Sequence, residues 1–342
     1  MNKNQISKIC EAFELGNVLD DPTPVIGGLI HRMWRINTNC GSFAIKELDS
    51  AIMQRPGIYE IYIQSEKIAA SLKSKQIPAV TAIINNNTPL YETDGIVVMV
   101  FPWVEGKTLA LHQVTPDHAK KIGATVAAIH AANIKPFDLP IPETNYISAE
   151  RWHDLVDKAF NSKLAWAADA NTNLPRLIFW SDTYQKAKQR LNKHLIISHT
   201  DMDPKNVLWY DDTLPVLIDW EGAGLANPTA EIINVAIGWS GETELLFREN
   251  IFSAVIEGYC KGGGRMFKSH MRDGFYGLIG GYLAWLEFNM SRSLELSKYN
   301  VDARNVGIEE TKLTLKKLKF LDENIDRFMS YLIADRKCMP TR

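Results

Sequence analysis

The run Ser198-His199-Thr200-Asp201-Met202-Asp203-Pro204-Lys205-Asn206 places an Asp and an Asn five residues apart, behind a His and between two apolar stretches. Thirteen residues past Asn206, the apolar run Val216-Leu217-Ile218 delivers Asp219 into Asp219-Trp220-Glu221-Gly222. Two short strands joined at the polar turn Asp211-Asp212 bring Asn206 and Asp219 together. A carboxylate and an amide oxygen suit Mg²⁺, a hard cation that takes a few protein oxygens and completes its shell with water or phosphate. Asp201 then stands across the site as a carboxylate able to accept a hydroxyl proton. A base and two metal ligands, in this order, are parts that phosphoryl transfer needs.

The first hundred residues supply matching parts. Lys46 ends the apolar run Phe43-Ala44-Ile45, where a strand lysine meets phosphates as a point charge. Glu66, twenty residues later on a predicted helix, is the expected partner of that lysine, and Glu60 on the same helix is its rival. Gly27 and Gly28 precede a strand and allow a backbone hairpin to lie over phosphates. The apolar stretch 96–101 runs into Pro102-Trp103-Val104-Glu105-Gly106, which reads as a hinge.

The elements that must position these groups follow from patterning. Residues 26–29, 31–37, 42–48, 79–84 and 96–101 read as strands, and 57–75 as a helix closed by Pro78. After Gly106 the pattern turns helical. Thr115-Pro116 opens a helix to 132, and helices are expected over about 148–168, 182–193, 228–239, 244–260, 268–296 and 307–334. Only 195–198, 207–210 and 216–218 break that run as strands. The expectation is an α+β chain of two lobes: a small antiparallel sheet with one helix over 1–103, and a larger, mostly helical lobe over 104–342.

In this order the residues resemble the aminoglycoside phosphotransferase family, which shares the protein-kinase-like fold. The strongest matches are GGLIHRMWRI, GSFAIKEL, FPWVEG, SHTDMDPKNVLW and LIDWEGAG. The resemblance implies an ATP- and Mg-dependent kinase that phosphorylates a hydroxyl of a small molecule. It assigns Asp201 as catalytic base, Asn206 and Asp219 as metal ligands, Lys46 and Glu66 as the phosphate lysine and its partner, and Gly27 and Gly28 as the phosphate-covering turn. It also implies that the Pro102 carbonyl and the Val104 N–H hold adenine. Two departures stand out. Thr200 occupies a position where the family often has Gly, and the nucleotide-covering loop is poor in glycine.

The acceptor is left open among an aminoglycoside or another antibiotic, choline or a similar amino alcohol, and a sugar, so a resistance enzyme and a metabolic kinase both fit. Asp203, Glu221, Trp285 and Asn289 are candidate acceptor contacts. Asp203, Glu221 and Glu287 favour a cationic or hydroxyl-rich ligand. His199 is expected to bond the loop backbone; His199, Asp201 and Asp203 as a hydrolase metal cluster is the rival. A non-catalytic kinase-like binding protein is the alternative of another class, opposed by the full set Lys46, Asp201, Asn206 and Asp219. A protein kinase is opposed by the lack of D-F-G and A-P-E motifs.

Composition excludes other classes. Lys plus Arg number 38 against 40 Asp plus Glu, a net charge of −2 that offers no basic footprint for nucleic acid or membrane. The N-terminus lacks an apolar signal segment, and the longest uncharged apolar stretch, 274–286, is too short to span a bilayer, so a cytoplasmic location is expected. Cys10, Cys40, Cys260 and Cys338 are scattered without metal-type spacing and read as four thiols. Nothing in the spacing sets an oligomeric state.

Overall fold

The computed structural model describes residues 1–25, 30–134, 139, 141, 146–295 and 300–334. The chain is α+β and divides into two compact units, one of residues 1–113, 132–139 and 197–224, the other of 114–131, 140–196 and 225–342. This division differs from the expected one at 103/104. Backbone pairing explains the difference. Ala79 bridges Leu217 and Lys107 bridges Trp209, so the segment carrying Asp201, Asn206 and Asp219 is tied to the sheet-bearing unit.

The first unit opens with helix α1 (Lys3–Ala12), which patterning did not anticipate. It starts at a capping box in which the Asn2 side chain accepts from the Gln5 N–H and the Gln5 side chain accepts from the Asn2 N–H. Strands β1 (Thr23–Val25), β2 (Arg32–Thr38), β3 (Gly41–Glu47), β4 (Tyr91–Thr93) and β5 (Ile96–Pro102) form an antiparallel sheet in the order β1-β2-β3-β5-β4. The strand expected at 79–84 is absent; Ile83 donates its N–H to Val100 O at 2.7 Å from an irregular segment. Helix α2 (Ile58–Ser74) turns Tyr62, Glu66, Ala69 and Leu72 inward at helical spacing.

Strand alternation sorts β3. Ile45 joins Ile6, Ile9, Ile36, Val98 and Val100 in a core beneath α1. Its neighbour Lys46 points to the opposite face, where Met99, its partner in register, packs with Leu48 and Tyr62. The hairpin of β6 (Val207–Tyr210) and β7 (Leu214–Leu217) pairs Val207 with Leu217.

The second unit is helical: α3 (Pro116–Ala131), α4 (Ala149–Asn161), α5 (Ala167–Leu191), α6 (Pro228–Ser240), α7 (Glu249–Lys261), α8 (Lys268–Leu294) and α9 (Val301–Ala334). Helices α3 and α7 cross closely enough that a Cβ built on Gly258 falls 2.0 Å from the Lys120 carbonyl oxygen, and one on Gly123 falls 2.0 Å from that of Val255. Trp152, Trp166, Trp180 and Trp239 are fully buried here. Among the described residues no helix is long and apolar enough to cross a membrane. Cys10 and Cys40 are thiols, Cys260 is disulfide-bonded, which corrects its reading as a thiol, and Cys338 lies outside the described residues.

Candidate active site

The catalytic-type loop is built on backbone bonds. His199 is fully buried; its Nδ1 accepts from the Asp201 N–H at 3.4 Å and its Nε2–H donates to Ile218 O at 3.1 Å. Both ring nitrogens thus serve the backbone, as expected, and neither is left for a metal. Thr200 sits at φ 64°, in the left-handed region that costs a β-branched residue most. Its hydroxyl donates to Gly222 O at 2.5 Å, which offsets that strain and locks the loop to the segment after Asp219. A Gly at this position, which the family resemblance leads one to expect, would meet the same backbone demand without the hydroxyl.

The Asn206 amide donates to both the Asp201 carbonyl and Asp201 Oδ2, at 2.8 Å each. Its NH₂ is consumed, so the amide is oriented and Oδ1 carries no hydrogen bond among the described residues. The Ile218 N–H donates to Asn206 O at 3.0 Å, which draws the adjoining Asp219 toward it. Asp219 is itself left-handed, at φ 61°. Asp201 keeps an intermediate exposure.

Lys46 is buried, and its Nζ donates to Asp219 Oδ1 at 2.7 Å and to Glu221 Oε2 at 2.6 Å. Burial alone would lower the lysine, but the two carboxylates raise it above its ordinary value. This corrects the expected partnership. Glu66 lies buried on α2, but its Oε2 accepts from the Ala82 N–H at 2.7 Å instead of pairing with Lys46. Burial pushes Glu66 up to about 7, against the pull of that N–H and of Lys46. Its rival Glu60 is exposed and bonded to Gln64.

Glu221 is neither a free surface carboxylate nor a free acceptor contact. Burial would raise it, but a hydrogen bond from His31 and the charge of Lys46 bring it down to about 2. His31 Nδ1 accepts from the Asp49 N–H at 3.0 Å, which leaves the ring proton on Nε2, 3.3 Å from Glu221 Oε2 and 3.0 Å from the Tyr62 hydroxyl. Sequence reasoning missed His31 and Tyr62. No local pattern flags them, because their partner lies more than 150 residues along the chain.

Lys205 completes the cluster, with Nζ 3.9 Å from Asp201 Oδ2 and 3.7 Å from Asp203 Oδ2. Burial would lower it, but Asp201, Asp203 and Asp219 raise it. Asp203, Asp201, Asp219 and Glu221 therefore face Lys46 and Lys205, an excess of two negative charges. That excess, with Asn206 Oδ1 and the second Asp219 oxygen unbonded, fits a divalent cation that finds its remaining ligands on a substrate. Among the described residues no three His, Cys, Asp or Glu side chains converge as a self-sufficient metal site.

Pro102 and Val104 follow the same logic. The Trp103 N–H donates to Ser42 O at 3.0 Å, so the ladder turns the Pro102 carbonyl away from β3. Neither that carbonyl nor the Val104 N–H has a hydrogen-bond partner among the described residues. Gly27 and Gly28 lie outside the described residues.

The remaining expected contacts belong to the second unit. Asn289 is fully buried; its amide NH₂ donates to the Trp285 carbonyl at 2.9 Å, and its Oδ1 has no hydrogen-bond partner among the described residues. Trp285 donates Nε1–H to Glu310 at 3.0 Å. Glu287 is paired with Arg151. With Glu221 held by Lys46 and Glu287 by Arg151, two of the three carboxylates expected to favour a cation are already neutralised.

Residues 23–266 match the family described as the phosphotransferase enzyme family. No curated protein sequence matches the chain. Among solved structures, a spectinomycin phosphotransferase in complex with ADP and spectinomycin superposes at a TM-score of 0.67 and 15% identity, over 94% of this chain and 99% of that one. A choline kinase from Cryptosporidium parvum gives 0.58 and 12%, over 98% and 99%. An amicoumacin kinase bound to AMP-PNP and Ca²⁺ gives 0.58 and 11%, over 93% and 94%. At these identities the likeness is one of fold.

Proposed function

The chain belongs to the phosphotransferase enzyme family, whose members act on hydroxyl groups of small molecules, and from its site we propose that ATP with Mg²⁺ is its phosphoryl donor. The observation that carries this reading is the convergence of Lys46, Asp201, Asn206 and Asp219 in one compact unit, with two carboxylate charges in excess. Lys46 meets the phosphates as a fixed point charge. Asn206 and Asp219 would hold Mg²⁺, which would supply positive charge to offset the charge that develops on the phosphates during transfer. The Pro102 carbonyl and Val104 N–H offer an acceptor and a donor to the edge of adenine. Asp201, oriented by Asn206, receives the acceptor's hydroxyl proton as the bond from the terminal phosphorus to the bridging oxygen breaks and the bond to the acceptor oxygen forms. ADP and a phosphate monoester leave.

The acceptor is drawn from the aminoglycosides and other antibiotics, amino alcohols such as choline, and sugars. Its cationic character is not favoured by the paired state of Glu221 and Glu287. The test is ADP formation by the full chain with MgATP across a panel of aminoglycosides, choline, ethanolamine and sugars. At least one acceptor should raise ADP formation above the acceptor-free rate and gain phosphate on a hydroxyl, and Asp201→Asn should remove that gain. Transfer that persists undiminished in Asp201→Asn, or that proceeds in excess EDTA, overturns the assignment.

A further inference from the structure

Of the two lysines of the cluster, Lys205 is the one to which the reading above gives no task. It lies in the short turn Pro204–Asn206, one residue before the metal ligand Asn206. Pro204 and the bond from the Asn206 N–H to Asp203 O, 2.9 Å, fix the backbone there. The side chain is held more loosely. Its contacts to Asp201 and Asp203 are 3.9 and 3.7 Å, longer than a direct hydrogen bond, and it is 55% exposed. Lys46, by contrast, is committed at 2.6 and 2.7 Å to Glu221 and Asp219.

The position of Asp203 poses a problem that Lys205 answers. Asp203 shares Lys205 with Asp201, at 3.7 and 3.9 Å from its Nζ, so its carboxylate would repel a phosphoryl group delivered to a hydroxyl at Asp201. A cation that faces Asp201 and Asp203 together, and also feels the charge of Asp219, stands beside that path. Its long, weak contacts let it exchange a carboxylate for a phosphate oxygen at little cost. We propose that Lys205 is a second phosphate-binding cation, engaging the terminal phosphate of the nucleotide while Lys46 holds the inner ones. The proposal rests on the nucleotide reading above.

Calorimetry of the full chain at fixed excess Mg²⁺, with ADP and with AMP-PNP, separates the two. In Lys205→Ala, AMP-PNP should bind about tenfold more weakly, the lower end for a charged hydrogen bond at a half-exposed site. ADP, which lacks the terminal phosphate, should bind within about twofold of the parent. Lys205→Arg should restore most of the AMP-PNP affinity, and melting temperatures confirm folding, with Lys205→Gln as the substitute if the Ala variant fails. Equal weakening of both nucleotides, or no change in either, means that Lys205 only balances Asp201 and Asp203 and overturns the proposal. A parent protein that binds neither nucleotide overturns the donor reading itself, an outcome distinct from the first.

Discussion

Glu66 links folding stability to pH through a single buried carboxyl. It is 5% exposed, and its ordinary value of 4.5 is pushed up to about 7 by burial, more than the Ala82 N–H and Lys46 pull it down. The folded state therefore holds this proton more tightly than the unfolded chain. The contribution is fully present below pH 4.5 and is lost as pH rises through about 7. At about 1.4 kcal/mol per pH unit, the gap amounts to roughly 3 kcal/mol. Glu66→Gln keeps the shape and an oxygen for the Ala82 N–H but does not titrate. Urea unfolding of both proteins from pH 4.5 to 8 reads the difference. The Gln variant should gain on the parent as pH rises, by up to roughly 3 kcal/mol at pH 8. Parallel profiles refute the burial argument. A Gln variant that loses ground as pH rises shows Glu66 ionised and paired with Lys46, the partnership that the family resemblance implies and the structure replaces with Asp219 and Glu221.

Three further outcomes are expected. Lys46→Ala should weaken MgATP binding and raise the KM for ATP by at least about tenfold, because it removes the buried cation proposed to meet the phosphates; unchanged ATP kinetics would show the strand misassigned. Gly258→Ala should lower the melting temperature by several degrees, since its Cβ meets the Lys120 carbonyl oxygen at 2.0 Å and overpacking of this kind costs about 1–3 kcal/mol. Thr200→Val should destabilise by about 1–2 kcal/mol, because it loses the bond to Gly222 and keeps the left-handed strain, whereas Thr200→Gly loses the bond but sheds the strain and should be near neutral. The reverse order in denaturant melts would contradict that account of the loop.

Much of this was legible because it is local. Alternation marked β2, β3 and β5, and the spacing of Asp201, Asn206 and Asp219 named the loop and hairpin that the structure bonds together through Asn206 and Ile218. Helix α1 carries a capping box at Asn2 and Gln5 that is readable in the sequence. Residues 79–84 have strand-like composition, but among the described residues the segment makes only isolated backbone bonds to strands, from the Val80 N–H to Leu217 O and from the Ile83 N–H to Val100 O. The partners of Lys46 were not legible at all. Glu221 is 175 positions away, and which of several carboxylates reaches a buried lysine is decided by tertiary packing, not by helical spacing. The same holds for Asn289, whose helical register with Trp285 was right while its burial was invisible.

The division of labour between Asp201 and Asp219 is the centre of the account, and calorimetry of AMP-PNP at fixed Mg²⁺ on Asp201→Asn and Asp219→Asn tests it most directly. Asp219→Asn removes an oxygen proposed to bind the metal and half of the anionic partnership of Lys46, so Mg²⁺-dependent nucleotide binding should fall at least about tenfold. Asp201→Asn keeps both, so binding should stay within about threefold of the parent while turnover drops by about 10²–10⁴. If Asp201→Asn abolishes nucleotide binding and Asp219→Asn leaves it intact, the base and the metal ligand have been assigned the wrong way round.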